Sequence, residues 1–214
     1  MSQARVHSFG VSLDGFGTGA GQNIDAPFGH ADGRLLEWFF ATRTAHAIHG
    51  QAGGSTGIDD VISSNWGTGI GAEIMGRNKF GPQRGPWADE EWKGWWGEEP
   101  PFHTPVFVLT HHPRPPIPMK GGTTFHFIDA SPAQALDIAR EAAGGLDVRI
   151  GGGPTMLRQF LAADLIDFMH VAVVPLVLGR GERAWDGLEG LEQRFKVDSV
   201  SSPSGVTHLI FTRR

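Results

Sequence analysis

The stretch "DVRIGGGPTMLRQFL" (147–161) decides how the chain is read. A run of strand type ends in three consecutive glycines. Pro154 follows, and then Leu157, Phe160 and Leu161 recur at helical spacing. Every ordered glycine costs conformational entropy, so three together mark a backbone that bends sharply or is approached closely. Proline suits the first helical position. A strand, a glycine turn and a helix start leave unpartnered amides beside the positive end of a helix dipole, an arrangement that takes anions. The amides of Gly152, Gly153, Thr155 and Met156 are the candidate donors, with the Thr155 hydroxyl beside them. A tight connection holding no ligand explains the glycines equally well. A P-loop is excluded because no Gly-Lys-Ser/Thr follows, and a dinucleotide fingerprint would need Gly or Ala where Met156 stands.

Outward from this turn, apolar runs predict strands at 4–13, 71–75, 104–110, 123–128, 146–150 and 166–179. Helical spacing predicts helices over 34–48, 131–144 and 154–165, the second opened by a capping box at Ser131 and Gln134. The segment 194–213 reads as a hairpin turning at Pro203–Gly205. Alternating strands and helices followed by a hairpin predict a three-layer α/β sandwich. Its central sheet is mixed and mainly parallel, with an antiparallel C-terminal hairpin, in one domain over 1–214. The segments 14–33 and 81–104 exceed ordinary connections and suit lids or binding loops. "WADEEWKGWWGEEPPFHTP" (87–105) reads as a lid over a flat substrate or, slightly preferred, as a dimer contact or core plug. Lys93 and His103 are possible substrate contacts there.

Composition narrows the function. The 214 residues include no cysteine, so thiolate chemistry and disulfides are excluded, and the net charge of −5 carries no footprint for nucleic acid. No run is long and apolar enough for a signal peptide or a membrane span, so a soluble cytoplasmic protein is expected. His46 and His49 are three apart, but no third ligand has motif spacing, so no metal is expected.

Two further strand ends carry related chemistry. "EIMGRNKFGP" (73–82) releases Gly76, Arg77, Asn78 and Lys79 at the end of a strand. "VLTHHPR" (108–114) releases Thr110, His111, His112 and Arg114. Ligands of open α/β sheets gather beyond the carboxyl ends of strands, and a dinucleotide phosphate needs several such sites.

The ordered set "SLDGF", "MGRNKF", "LTHHPR", "IGGGPTML" and "PLVLGRG" resembles the dihydrofolate reductase superfamily. It looks closest to the branch that holds the C-terminal reductase domain of the riboflavin-biosynthesis deaminase/reductase and its stand-alone relatives. The resemblance runs from about Val6 to Arg213 and implies bound NADPH and hydride transfer to a ring or sugar carbon. It places Gly76, Arg77, Asn78 and Lys79, with Thr110, His111 and Arg114, at the adenosine ribose and 2′-phosphate. Gly152, Gly153, Pro154 and Thr155 fall at the diphosphate and nicotinamide. It also implies a homodimer. Phe16 stands where riboflavin-pathway reductases usually carry a basic residue. Hydride transfer further needs a proton source, a carboxylate or a bound water, and Asp14 and Glu37 are the candidate carboxylates. The expected function is an NADPH-dependent reductase of a small pterin-, pyrimidine- or ribosylamine-like substrate. Dihydrofolate reduction and non-catalytic NADPH binding are the alternatives.

Overall fold

The computed structural model describes residues 2–81 and 84–214. Pro82, the last residue of the "EIMGRNKFGP" stretch, lies outside them. The strands are β1 (Ala4–Ser12), β2 (Phe16–Thr18), β3 (Ile70–Gly76), β4 (Pro105–Leu109), β5 (Ile117–Pro118), β6 (Thr124–Ile128), β7 (Asp147–Gly151), β8 (Phe168–Val174), β9 (Glu182–Arg183), β10 (Phe195–Ser201) and β11 (Thr207–Arg213). The helices are α1 (Glu37–Phe40), α2 (Arg43–Ile48), α3 (Ile58–Ser63), α4 (Arg77–Phe80), α5 (Pro132–Ala142) and α6 (Pro154–Ala162).

Nine strands form one sheet in the order β10-β11-β8-β1-β7-β3-β4-β6-β5. The block from β8 to β6 is parallel throughout, and antiparallel pairing is confined to β5 at one edge and to β11 and β10 at the other. Period-two alternation separates the two faces. On β7, Val148 and Ile150 join the core that also holds α5 and α6 residues such as Leu136 and Phe160. On β4, Phe107 joins that core, whereas Val106 and Val108 face an aromatic cluster with Phe80, Phe102 and Phe125. A third cluster packs Leu35, Trp38 and Phe39 on Ala172 and Val174.

Strand β1 breaks its own period. Its register against β8 shifts between Val6 and Phe9, and Ser8 has φ 55°. This bulge moves the core-facing set from Ala4 and Val6 to Phe9 and Val11.

Three expectations change. The helix expected over 34–48 is two short helices, because Thr42 takes an extended conformation and its hydroxyl oxygen accepts from the Ala45 amide. Threonine there caps a new helix instead of continuing the old one. The strand expected to run to 179 ends at Val174, before Pro175, which cannot donate to a ladder. The long 14–33 segment contains β2, paired antiparallel with β9. The capping box at the start of α5 is present as read, with the Gln134 carboxamide oxygen accepting from the Ser131 amide at 3.0 Å.

Candidate functional site

A cavity of about 1070 Å³ runs across the carboxyl ends of the parallel strands. That is more than the ~300–1,000 Å³ of an ordinary small-molecule site. The strand order places β6 and β4 at one end, β3 and β7 in the middle and β1 at the other. All three predicted strand-end segments contribute. Gly76, Arg77, Asn78 and Lys79 line the cavity, as do Thr110 and His111, and Gly152, Gly153 and Thr155.

Each glycine of the turn has its own reason. Gly152 has φ 131°, a conformation that side-chain-bearing residues rarely adopt. Gly153 has ordinary extended angles, and a Cβ there would meet no atom within 4 Å. Its missing side chain is open space at the N-terminus of α6. At Gly151 a Cβ would collide with the Lys79 ammonium and lie 2.8 Å from Glu73 Oε1.

That collision exposes a group the sequence reading passed over. Glu73 on β3 is fully buried, and one of its oxygens, Oε1, accepts from Lys79 Nζ at 2.6 Å. The other, Oε2, accepts from Arg149 Nε at 2.8 Å and also from Arg149 Nη2. Arg149 comes from β7, in register with Glu73, and its guanidinium stacks 3.5 Å above the Trp66 ring centre. Burial pushes the Glu73 carboxyl up, but Arg149 and Lys79 together outweigh it and hold it ionised. Burial lowers Lys79 below the ordinary lysine range despite the pull of Glu73. One carboxylate between two cations leaves the cluster with a net charge of +1. Lys79 is therefore committed to the middle of the cavity, away from the phosphate role expected for it.

The β6–β4 end is polar. Arg77 Nη1 donates to the Gly85 carbonyl at 2.5 Å, and its guanidinium lies 4.0 Å over Trp87. Arg77 Nε and Nη2 have no hydrogen-bond partner among the described residues. Arg84 also lines this end and donates to Asn78 Oδ1. His111 pairs at 3.0 Å with Asp129, which follows β6 and was missed because a carboxylate after an unremarkable strand carries no motif. The β1 end carries the large apolar side chains Leu35, Phe39, Phe40 and Trp66, with His7 and His49 among them.

Other expected site residues do different work. Arg114 lies outside the lining. It donates to the Glu90 and Trp92 carbonyls and stacks on Trp87 and Phe127, so it holds the tryptophan-rich loop. Within that loop Trp87, Trp92 and Trp96 pack against the aromatic cluster as a core plug, while Trp95 and Trp96 also line the cavity. Lys93 is exposed, and the His103 ring bonds the Gly121 carbonyl, both away from the cavity. Pro154 is buried and packs behind the turn, against the place a side chain at Gly17 would fill. The Thr155 hydroxyl donates to Glu182 at 3.0 Å.

Neither expected proton source is placed to act. The Asp14 carboxylate accepts from Ser12 Oγ and from the Leu178 and Gly179 amides at 2.6, 3.0 and 2.6 Å. The Ser12 bond foremost lowers its pKa to about 2. It is an anchor for the 175–179 segment. Glu37 is exposed at the start of α1 and outside the lining.

A second buried polar chain ends at the cavity wall. The Ser8 amide donates to His170 Nδ1 at 3.1 Å, which leaves the His170 proton on Nε2. His170 Nε2 then donates to His208 Nδ1 at 2.9 Å, and His208 Nε2 donates to Asp59 at 2.8 Å. The chain holds the β1 bulge, whose residues His7 and Ser8 line the cavity. Burial lowers both His170 and His7 to about 3, so both rings are neutral.

Among known proteins, the fold is shared with a Shewanella sp. PV-4 protein assigned to riboflavin biosynthesis. The two are 19% identical, with a TM-score of 0.59 over 100% of this chain and 99% of that one. A pyrimidine reductase-like protein of Corynebacterium diphtheriae is 13% identical, with a TM-score of 0.52 over 100% and 92% of the two chains. The Thermotoga maritima diaminohydroxyphosphoribosylaminopyrimidine deaminase/5-amino-6-(5-phosphoribosylamino)uracil reductase is 14% identical, with a TM-score of 0.56. It covers 100% of this chain but only 57% of its own. No curated protein sequence matches the chain. Residues 69–209, which carry the three cavity-lining strand ends, match the model of the RibD C-terminal domain, and the chain belongs to that family.

Proposed function

We propose that the protein is an NADPH-dependent reductase of a small, flat ring substrate. The observation that carries this reading is the convergence of three strand ends on one cavity with a polar end and an apolar end. The residues present fit the dinucleotide. Gly153 leaves open space in front of the first amides of α6, where a diphosphate would be held by Gly152, Gly153 and Thr155. Arg77 and Arg84, both in the lining, supply the guanidinium groups suited to a 2′-phosphate. Thr110 and His111 would flank the adenosine ribose. NADPH supplies a hydride, and the protein positions the acceptor and excludes water.

The apolar end supports a pterin- or pyrimidine-like ring over a phosphorylated sugar. Glu73 neutralises one of the two positive charges of Lys79 and Arg149 in the lining, and Phe16 offers no charge in place of the basic residue of riboflavin-pathway reductases. The absence of Asp14 and Glu37 from the cavity lining favours a second reading, a binding protein that holds NADPH without turnover. The working unit is taken to be a homodimer.

The test is loss of the reduced-nicotinamide absorbance with dihydrofolate and with 5-amino-6-(5-phosphoribosylamino)uracil as acceptors. Oxidation with a ring acceptor is expected. NADPH binding without oxidation across an extended acceptor panel selects the binding protein, and absence of NADPH binding ends the reductase reading.

A further inference from the structure

We infer that Lys79 faces the reacting ring of the cofactor and donates the proton that completes reduction, with Glu73 as its positioning residue. This rests on the reductase reading above. Hydride transfer takes place where the dinucleotide half of a site meets the substrate half. Here that junction is the β3–β7 region, between the polar strand ends and the aromatic pocket. Lys79 is the cation at that point. It follows Arg77 and Asn78 on α4, yet its chain turns back over the sheet to Glu73, next to Gly151 and 5.6 Å from the Phe102 ring centre.

The surroundings suit a donor. Lys79 is 29% exposed and lines the cavity, whereas Glu73 is 0% exposed. One ammonium hydrogen is taken by Glu73, which leaves two for a ligand. Glu73 is shared with Arg149, so the cluster presents one uncompensated positive charge to the cavity. Gly151 gives the ammonium its room: its φ lies outside the left-handed region, and any side chain there would occupy the Lys79 position. The carboxylates of the lining are engaged, and the histidine on β1 carries no charge. Glu182 accepts from Thr155, Asp129 pairs with His111 beyond β6, and His7 is neutral. Burial also lowers the Lys79 pKa, which eases release of its proton.

The step balances. The acceptor carbon of a C=N or C=O bond gains the hydride, and the π electron pair moves onto the nitrogen or oxygen. That atom bonds the proton as the Lys79 N–H bond breaks. Lys79 is left as a neutral amine and regains a proton from water. The cluster falls from a net charge of +1 to 0 while Glu73 and Arg149 stay paired.

The test exploits the ring charge of the oxidised dinucleotide, which the reduced form lacks. NADPH and NADP⁺ are titrated by calorimetry into wild type, Lys79→Met and Lys79→Arg at one pH and ionic strength. Lys79→Met leaves a one-to-one Glu73–Arg149 pair, so no buried charge is orphaned. It is expected to change NADPH affinity by less than about threefold, and to tighten NADP⁺ relative to NADPH by about tenfold as a facing cation is removed. Lys79→Arg keeps the wild-type ratio. An unchanged ratio in Lys79→Met overturns the proposal. Equal weakening of both forms by more than about tenfold also overturns it and returns Lys79 to a phosphate. A readout without a variant is acylation of Lys79 in wild type, followed by peptide mass. NADPH is expected to slow it severalfold, and no protection contradicts the placement. Wild type that binds neither form brings down the reductase reading itself, an outcome distinct from an unchanged ratio.

Discussion

Replacing Gly153 by alanine separates folding from binding at the glycine turn. The residue has φ −82° and ψ −178°, an ordinary extended conformation, and its Cβ would meet nothing within 4 Å. Alanine at a compatible position stabilises by about 0.4–1 kcal/mol through the unfolded chain. Alanine in place of glycine at a helix N-cap costs about the same. The two offset, so Gly153→Ala is expected to stay within about 1 kcal/mol of wild type, or at most about 4 °C in Tm. The methyl group enters the space in front of the α6 amides. If it displaces one charge-assisted hydrogen bond to the diphosphate, the loss is about 1.5–3 kcal/mol, or roughly 10- to 150-fold in Kd. Thermal melting and calorimetric titration with NADPH read the two effects separately. A mutant that melts like wild type and binds NADPH equally well refutes the placement of the diphosphate at this turn.

Other expectations follow from the same geometry. Arg77→Ala should weaken NADPH by about 10- to 150-fold and NADH far less, bringing their dissociation constants together. Equal weakening of both in a titration would show that Arg77 does not read the 2′-phosphate. Glu37→Gln should leave turnover within about twofold of wild type, since an exposed carboxylate outside the cavity lining supplies none of the roughly 10²- to 10⁴-fold of a general acid. A larger fall in initial rate would return Glu37 to the site. His7 and His170 have pKa values lowered from 6.5 to about 3. Such depressed bases contribute stability that is complete above pH 6.5 and is lost as pH falls toward 3, because the unfolded chain takes up both protons first. Urea unfolding between about pH 6 and pH 4 should show a slope near 2.7 kcal/mol per pH unit from this pair, about half of it removed in His170→Gln. A slope that the substitution leaves unchanged would mean that His170 is not held neutral.

The fold was legible where local signals agreed with tertiary packing. The capping box of α5, the turn into α6 and the alternating strands all point the same way in the sequence. Thr42 misled because helical spacing on both sides of it hid a cap. The strand-end segments that line the cavity were legible because their glycines and cations are close in sequence. The central cluster was not, since Glu73 and Arg149 lie on different strands and meet only through sheet register. Their signal was a polar or charged residue at an inward position of each apolar strand, and His170 and His208 are further such polar positions. Lys79 shows the limit of motif reading. It stands two residues from Arg77, yet a one-turn helix sends the two side chains to different parts of the cavity.

The central claim is that three strand ends close on one dinucleotide. Amide hydrogen exchange of the wild-type protein with and without NADPH, resolved by peptide, tests it most directly. The account predicts slowed exchange at 76–79, at 110–112 and at 152–157 together, with the β10–β11 hairpin unchanged. Protection at none of the three, or at only one of them, would contradict it.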